Sequence, residues 1–243
     1  MQTRLQELFP THYRNGNILM IQADCMEVMK HIQNGEVELA IVDPPYGGGA
    51  DGTITRTGGT WSKIYQRDNS ISKWDTAPNK EYFDELFRVS DRVIIWGGNY
   101  FNLPPSRNFI IWEKLTISES FSMAMAEYAW TNVEGNAKIF KYAPQGQVDD
   151  KRFHPTQKPV ALYKWLLSRY AKPGDRILDT HGGSGSICIA CHDLGFDLTW
   201  MELDTDYYAA AVERYKRHAA QAVLFKPEDV RHNDYNQQLL PNV

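Results

Sequence analysis

The run Ala40-Ile41-Val42-Asp43-Pro44-Pro45-Tyr46 contains a strand that has to end at a defined point. Three apolar residues lead into Asp43, and Pro44 and Pro45 then prevent further ladder pairing, because proline lacks an N–H and has a fixed backbone angle. A flat heteroaromatic ring could stack on Tyr46 while its exocyclic amino group donates to Asp43 and to the carbonyl of Pro44. The plain alternative is a proline-terminated strand with a solvent-facing acid.

A second strand, near the other end of the chain, runs into a glycine-rich loop. The apolar run 176–179 predicts the strand, Thr180-His181-Gly182-Gly183-Ser184-Gly185-Ser186 is the loop, and a helix is expected over 187–194. Glycines let a ligand approach the backbone closely, and the start of a helix offers N–H groups. The spacing matches neither a P-loop nor a dinucleotide fingerprint. A third strand ends at Glu202, about 20 residues downstream, where an acid commonly binds ribose hydroxyls.

Alternating strands and helices predict one α/β domain over residues 1–243, with enough apolar sequence (42% hydrophobic) for a sizeable core. We expect a doubly wound, Rossmann-like sheet, in which ligands bind outside the carboxyl ends of the strands. Asp43 and Gly183 should then face one crevice although they are far apart in sequence. The predicted strands are 18–22, 38–43, 92–96, 109–112, 128–131, 176–179 and 198–201, and the predicted helices are 25–32, 80–89, 160–170, 187–194 and 206–219.

Cysteine content and the start of the chain predict a cytoplasmic protein. Three cysteines fit a reducing compartment, and the charged residues from Met1 to Glu7 leave no room for the apolar stretch of a signal peptide. No apolar run approaches the ~18 residues of a membrane span. The run Cys188-Ile189-Ala190-Cys191-His192 matches a haem-attachment pattern. It falls inside a predicted helix, where small apolar side chains pack, and we interpret it as coincidence.

Five motifs in one order carry a family resemblance: Asp24–Glu27, Asp43–Tyr46, His154–Pro159, Asp179–Ser186 and Glu202–Asp204. The chain resembles an amino-methylating DNA methyltransferase of the permuted order (beta class), in which Asp-Pro-Pro-Tyr precedes the glycine-rich loop. The resemblance covers nearly the whole chain. It implies a Rossmann-like fold that uses S-adenosylmethionine, DNA with a flipped target base as the partner, and a homodimer as a common state of the family.

The resemblance assigns the chemistry to Asp43, Pro44, Pro45 and Tyr46. Asp43 and the Pro44 carbonyl would accept both N–H bonds of the target amino group and stabilise the charge that grows on its nitrogen, while Tyr46 stacks on the base. No metal is required. An acid at the first motif position favours adenine N6, and residues 94–101 and 126–131 resemble phage and prophage adenine methyltransferases. The alternatives are an N4-cytosine methyltransferase and a DNA- or cofactor-binding module that has lost its chemistry.

The cofactor residues follow from the loop and from the resemblance. The loop should surround the methionine part of the cofactor, with its N–H groups near the carboxylate, and Glu202 should bind the ribose. By resemblance, Asp24 reaches the cofactor adenine, although Asp24 followed by Glu27 is also a helix capping box. Thr156 and Lys158 would assist the methionine carboxylate, with a phosphate contact of Lys158 left open. The predicted set is Asp24, Thr156, Lys158, Asp179, His181, Gly183, Ser184, Gly185 and Glu202.

The loop departs from the family pattern at two positions. Thr180 stands where the family usually has proline, and His181 stands where it has phenylalanine. Either His181 packs as a neutral ring in the place of the phenylalanine, or it makes cofactor binding sensitive to pH near neutrality.

The formal net charge of −4 does not exclude DNA, because phosphate binding depends on local cationic faces. Residues 47–75 contain several glycines and no sustained period, so we expect a mobile loop over the active site, with an insertion without function as the alternative. Residues 139–153 are a short candidate target-recognition segment. The predicted DNA-binding residues are Arg56, Lys63, Arg67, Lys141, Lys151 and Arg152.

Overall fold

The structure is a computed structural model that describes residues 1–47, 76–120, 124–144, 153–154 and 156–221. The described residues form one mixed sheet of nine strands. The strands are β1 (His12–Asn15), β2 (Ile18–Gln22), β3 (Val37–Val42), β4 (Ser90–Trp96), β5 (Phe109–Glu113), β6 (Ala126–Thr131), β7 (Lys138–Lys141), β8 (Arg176–Asp179) and β9 (Asp197–Glu202). Their order in space is β1-β2-β9-β8-β3-β4-β6-β5-β7.

The centre of the sheet is a parallel block made of β2, β9, β8, β3 and β4. Within it β3 and β8 lie side by side, with Leu39 opposite Ile177 and Ala40 opposite Leu178. The chain moves from β3 to β4 on one side and from β8 to β9 on the other, so the direction of winding reverses between β3 and β8. Doubly wound sheets bind ligands at such a switch point. The predicted doubly wound α/β fold is confirmed.

Helices cover both faces of the sheet. They are α1 (Gln2–Leu8), α2 (Cys25–Met29), α3 (Lys80–Val89), α4 (Val160–Tyr170), α5 (Ser186–Leu194) and α6 (Thr205–Ala219). Because side chains alternate along a strand, Leu39 and Ile41 of β3 pack into the core under α4, α5 and α6. Ala40 and Val42 pack into the opposite core, under α1, α2 and α3. A central strand buried on both faces explains the nearly continuous apolar run before Asp43.

Helix α3 shows how the sequence sets a local element. Its N-cap is Asn79, whose side chain accepts a hydrogen bond from the N–H of Tyr82 at 3.2 Å. Tyr82, Phe83 and Leu86 recur at helical spacing and are buried against the sheet. This packing fixes the first turn of α3, and with it Tyr82, next to the carboxyl edge of the parallel block.

All predicted strands and helices are present, and most of their ends lie within two residues of the prediction. The helix predicted over 25–32 ends at Met29 instead. Beyond it the N–H groups of His31 and Ile32 donate to carbonyls only three residues back, both at 3.0 Å, so the chain tightens into turns. The sequence analysis does not predict α1, β1 or β7.

Two predicted segments fall largely outside the described residues. Apart from Gly47, the expected loop over 47–75 lies there, and so do residues 145–152 of the candidate target-recognition segment. The first residues of the latter, 139–141, belong to β7, which pairs in parallel with β5 at the edge of the sheet. Across the described ranges no helix has both the length and the apolar character needed to cross a bilayer.

Candidate active site

A cavity of about 470 Å³ lies at the carboxyl edge of β3 and β8. Asp43–Tyr46, which follow β3, form one wall, and Thr180–Ser184, which follow β8, form another. Asp43 and Gly183 therefore face a single cavity, as the order of the strands predicts. Other predicted site residues in the walls are Asp24, Thr156, Lys158 and Glu202.

Asp43 and Tyr46 of the Asp-Pro-Pro-Tyr turn are held in place by contacts with each other and with neighbouring residues. The Tyr46 hydroxyl donates to Asp43 Oδ1 at 2.6 Å, and Lys158 Nζ donates to Asp43 Oδ2. The Tyr46 ring stacks on Tyr100 with centroids 4.9 Å apart and planes 18° apart, and Tyr100 is not among the residues that line the cavity. A Cβ at Gly97, whose φ is +67°, would lie 2.1 Å from the Tyr46 ring. Gly97 thus makes room for Tyr46, and one face of the ring is supported.

Lys158 is a buried cation between two acids. Its Nζ contacts Asp43 and lies 3.2 Å from Glu127 Oε2, and it stands 5.2 Å from the centre of the Trp96 ring. Burial by itself would lower the pKa of Lys158, but Asp43 and Glu127 outweigh burial and raise it. An enclosed ammonium of this kind does not belong to a cationic surface for DNA phosphates.

The glycine-rich loop approaches its neighbours too closely for side chains. A Cβ at Gly182 would lie 1.8 Å from the Trp200 ring, and Gly183 and Gly185 have φ of +51° and +69°. Four loop N–H groups already donate within the protein, those of His181, Gly182, Gly183 and Gly185. These four N–H groups have partners within the protein, and the contact of the loop with the methionine carboxylate stays a prediction.

Two of the predicted cofactor residues, Asp179 and Gly185, are not among the residues that line the cavity. Asp179 lies beneath the loop, where its Oδ1 accepts the N–H of His181 at 3.1 Å. Burial raises the pKa of Asp179 to about 8, and the nearby carboxylates of Asp43 and Glu202 add to the effect. Asp179 is therefore mainly protonated at neutral pH in this structure. Gly185 packs against Ala211 of α6.

The two departures from the family loop form one polar cluster. Thr180 Oγ1 lies 2.9 Å from His181 Nδ1 and 2.6 Å from the hydroxyl of Tyr82. The His181 ring stands edge-on to the Tyr82 ring, with centroids 5.2 Å apart. Burial lowers the pKa of His181 to about 4, so the ring is neutral at physiological pH. This favours the interpretation in which His181 packs in the place of the phenylalanine.

Glu202 braces the loop with both of its carboxylate oxygens. Oε2 accepts the N–H of Gly183 at 2.7 Å, and Oε1 accepts the N–H of Asp204 at 2.9 Å. Burial raises the pKa of Glu202. Each carboxylate oxygen has a second lone pair, so Glu202 can still accept from a ligand in the cavity.

Asp24 is the N-cap of α2, and its Oδ1 accepts the N–H of Met26 at 2.8 Å. Glu27 pairs with Lys30 at 2.6 Å and does not close the reciprocal half of the predicted capping box. Asp24 thus caps the helix and also lines the cavity, and its contact with the cofactor adenine stays a prediction.

His154 organises the loop that precedes α4. Its Nδ1 lies 3.2 Å from Thr156 Oγ1, and its ring stands edge-on to Tyr207 at 4.3 Å. Thr156 lines the cavity beside it, and so does Ser184, whose hydroxyl lies 3.1 Å from that of Ser186. Through these contacts His154 orients the loop that carries Thr156.

Of the predicted DNA-binding residues, Lys141 alone is described. It projects from β7 with its side chain 61% exposed and pairs with Glu113 at 3.1 Å. Arg56, Lys63, Arg67, Lys151 and Arg152 lie outside the described residues.

Polar residues at or next to the cavity that were not predicted from the sequence include Glu127, Tyr82, Tyr163 and Tyr207. Tyr82 and Tyr163 sit on apolar helix faces, where a tyrosine looks like an ordinary core residue, yet both line the cavity. Glu127 does have a signal, because it is an acid within the otherwise uncharged strand Ala126–Thr131. That signal becomes meaningful only once Lys158 is known to lie against it.

A family model described as DNA methylase, covering N6 and N4 methyltransferases, matches residues 95–213. The putative methylase YubD of Escherichia coli K12 is 25% identical over 80% of this chain and 88% of its own length. The type II methyltransferase M2.MboI of Moraxella bovis is 25% identical over 87% of this chain and 92% of its own length. The solved M1.HpyAVI complex with S-adenosylmethionine covers 84% of this chain and all of its own, with a TM-score of 0.54 and 18% identity.

Together these similarities support an amino-methylating DNA methyltransferase of the N6/N4 DNA methylase family. The family uses S-adenosylmethionine to methylate amino groups of DNA bases, so this DNA methyltransferase takes DNA as its substrate and S-adenosylmethionine as its methyl donor. Its cavity fits such a donor. Asp24 and Glu202 offer acceptors for amino and hydroxyl groups, and the side-chain-free wall at Gly182 and Gly183 permits close approach.

Proposed function

We propose that this DNA methyltransferase transfers the methyl group to the N6 amino group of adenine. The observation that carries the proposal is the shared cavity, which has the acceptors of the Asp-Pro-Pro-Tyr turn on one wall and the glycine-rich loop on the other. The choice of adenine over cytosine rests on the acid at the first motif position, Asp43, as the family resemblance implies.

The acceptor side would be formed by Asp43, Pro44, Pro45 and Tyr46. Asp43 and the Pro44 carbonyl accept the two N–H bonds of the amino group, which holds the nitrogen away from its planar geometry and stabilises its growing positive charge. Pro45 has no N–H, so the turn leaves its carbonyls unpaired by a neighbouring strand. Tyr46 offers the cavity-facing side of its ring to the flipped base, at an unpairing cost of a few kcal/mol that stacking offsets.

The donor side would be formed by residues after β2, β8 and β9. Glu202 would accept the ribose hydroxyls, Asp24 the adenine amino group, and Thr156 would contact the methionine carboxylate. His181, Gly183 and Ser184 would surround the methionine part, with Asp179 and Gly185 holding the loop from beneath. When bound, S-adenosylmethionine supplies a sulfonium methyl group that is open to attack by a nucleophile.

DNA would be held by cations outside this cavity. Lys141 is the described member of that set, and Arg56, Lys63, Arg67, Lys151 and Arg152 are proposed with it. Each would contact phosphate and position the duplex without reading its sequence.

The proposal is tested by incubating the protein with labelled S-adenosylmethionine and mixed-sequence DNA, followed by mass spectrometry of the nucleosides. N6-methyladenine is the expected product. N4-methylcytosine would replace the adenine assignment with the cytosine alternative, and cofactor binding with no methylated base would favour an inactive module.

The matched control is Asp43→Ala in the same assay. This change removes an acceptor from the nitrogen and leaves the loop after β8 untouched, so product should fall by at least ~100-fold. The dissociation constant of the cofactor, measured by calorimetry, should change by less than about threefold. Turnover close to that of the wild type would remove Asp43 from the chemistry.

A further inference from the structure

Four buried or half-buried charges of alternating sign extend from Asp43 away from the cavity. Lys158 contacts Asp43, Glu127 Oε2 lies 3.2 Å from Lys158 Nζ, and Glu127 Oε1 lies 2.7 Å from Lys114 Nζ. The two lysine side chains are only 2% and 8% exposed. Buried lysines are rare unless they are paired, and here each has a carboxylate partner.

The four groups come from separate elements. Asp43 directly follows β3, Lys158 precedes α4, Glu127 belongs to β6, and Lys114 directly follows β5. Asp43 and Lys158 line the cavity, whereas Glu127 and Lys114 are not among its lining residues. Among the described residues, the ion pair with Lys158 links Glu127 to the site.

The contacts place Lys158 beside Asp43, on the side of the cavity that would accept the target amino group. Its ammonium pairs with both Asp43 and Glu127 and stands 5.2 Å from the centre of the Trp96 ring, so carboxylates engage two of its three donors. To assist the methionine carboxylate, Lys158 would have to leave two carboxylates in a buried setting, which is costly.

A cation next to Asp43 has an electrostatic consequence for methyl transfer. The attacking nitrogen becomes more positive as the new bond forms, and an uncompensated ammonium beside Asp43 would oppose that change. Glu127 supplies the compensating negative charge. Glu127 is ionised, because Lys158 and Lys114 outweigh burial and hold the pKa of Glu127 below its usual range.

We propose that Lys158 and Glu127 are positioning residues for methyl transfer, in which Lys158 fixes the Asp43 carboxylate through Oδ2 and Glu127 neutralises the charge of Lys158. The inference rests on the proposed function, since it concerns the nitrogen that Asp43 would bind. It adds two residues to the acceptor side and reassigns Lys158 away from the cofactor carboxylate.

The test compares Glu127→Gln with Glu127→Asp in single-turnover methylation of DNA. Glutamine keeps the shape and a hydrogen-bond acceptor but loses the charge, whereas aspartate keeps the charge on a shorter side chain. We expect Glu127→Gln to slow methyl transfer roughly 100-fold and Glu127→Asp to be at least ~10-fold faster than Glu127→Gln. If Glu127 only filled space or offered a hydrogen bond, glutamine would be the better replacement, and that order of rates would overturn the proposal.

Cofactor and DNA affinities are measured on the same variants. Dissociation constants within about threefold of the wild type are expected, because the change acts on the rate and not on binding. A loss of rate matched by an equal loss of cofactor affinity would place Lys158 on the methionine carboxylate and overturn the proposal. Lys114→Met is the matched control: it removes a buried lysine from the same acid but leaves Lys158 neutralised, so its rate should stay within about fivefold of the wild type.

A second pair covers the case in which Glu127→Gln does not bind the cofactor. Lys158→Arg keeps the charge and Lys158→Gln removes it, so arginine should retain more turnover than glutamine at equal cofactor affinity, and the reverse order would contradict the proposal. The wild-type assay is read first. A wild-type protein that methylates no base defeats the proposed function, whereas an active wild type with an unaffected Glu127→Gln variant defeats only this inference.

Discussion

At the scale of single residues, Asp179 has a strongly raised pKa. It is 2% exposed beneath the loop, and burial raises its pKa to about 8, with Asp43 and Glu202 contributing in the same direction. The unfolded chain has the ordinary value near 3.8. Between these two values the folded protein retains a proton that the unfolded chain has released. The contribution of Asp179 to stability therefore falls as pH rises through that window, by up to about 1.4 kcal/mol per pH unit.

The variant Asp179→Asn tests this ionisation. Asparagine keeps the acceptor for the N–H of His181 but cannot ionise. The free energy of unfolding of the variant, relative to that of the wild type, should therefore increase as pH rises. Urea unfolding of both proteins at about pH 5 and about pH 7.5 measures the difference. The difference should be larger at the higher pH.

His181 provides the internal control for that measurement. Its folded pKa of about 4 lies below the ordinary value of 6.5, so its contribution to stability rises with pH between these values, opposite to that of Asp179. His181 is present in both proteins, and its effect cancels in the comparison. A difference that stays constant or shrinks with rising pH would show that Asp179 ionises normally.

The sequence nominated the acids and the glycine-rich loop of the cavity but not their partners. Asp43 and Glu202 were predictable because each stands at the carboxyl end of a strand, and the carboxyl ends of parallel strands meet at one edge. Asp24 was assigned by the family resemblance. Lys158 could not be assigned, because its partners Asp43 and Glu127 are distant in sequence and come together only in the sheet. Because Lys158 is buried, it contacts the two nearby carboxylates and not phosphates at the surface.

At the scale of elements, the loop between β8 and α5 depends on a contact with β9. Gly182 faces Trp200, which is fully buried in β9, and a Cβ at position 182 would lie 1.8 Å from the indole. Because the Trp200 ring is fully buried, we expect an added methyl group to displace the loop. The wall of the cavity would move with it.

We therefore expect Gly182→Ala to weaken cofactor binding by roughly tenfold or more, through the overpacking cost of ~1–3 kcal/mol. Calorimetric titration with S-adenosylhomocysteine measures the dissociation constant of each variant. Gly174→Ala is the control, because a Cβ there meets nothing within 4 Å although φ is +88°; it should affect stability and not cofactor affinity. Adding Trp200→Leu to Gly182→Ala should recover part of the affinity. Unchanged binding by Gly182→Ala would mean that the loop does not touch the cofactor.

Elements were predictable where local pattern and burial agree. The apolar runs of β3, β8 and β9 and the stripe of α3 are visible in the sequence because each faces a core. Strand β7 was missed because Lys-Ile-Phe-Lys is short and carries exposed lysines, and its identity as a strand comes from pairing with β5. Helix α2 ends early because the turns that follow it use tighter hydrogen bonds, which no pattern of apolar residues records.

At the scale of the whole molecule, the order of the strands explains the site. The chain winds outward from β3 in one direction and from β8 in the other, so two segments separated by most of the sequence end next to each other. One carries the acceptors of Asp43 and Pro44, and the other carries the glycine-rich loop. The account requires the methyl donor and the target base to meet in the cavity between them.

The most direct test is a crystal structure of this protein with S-adenosylhomocysteine, the product left after methyl transfer. The account predicts that the ligand lies along the glycine-rich loop, with its ribose at Glu202 and its sulfur directed toward Asp43 and Tyr46. A ligand bound elsewhere, or one whose sulfur faces away from Asp43 and is separated from it by the loop, would contradict the shared site.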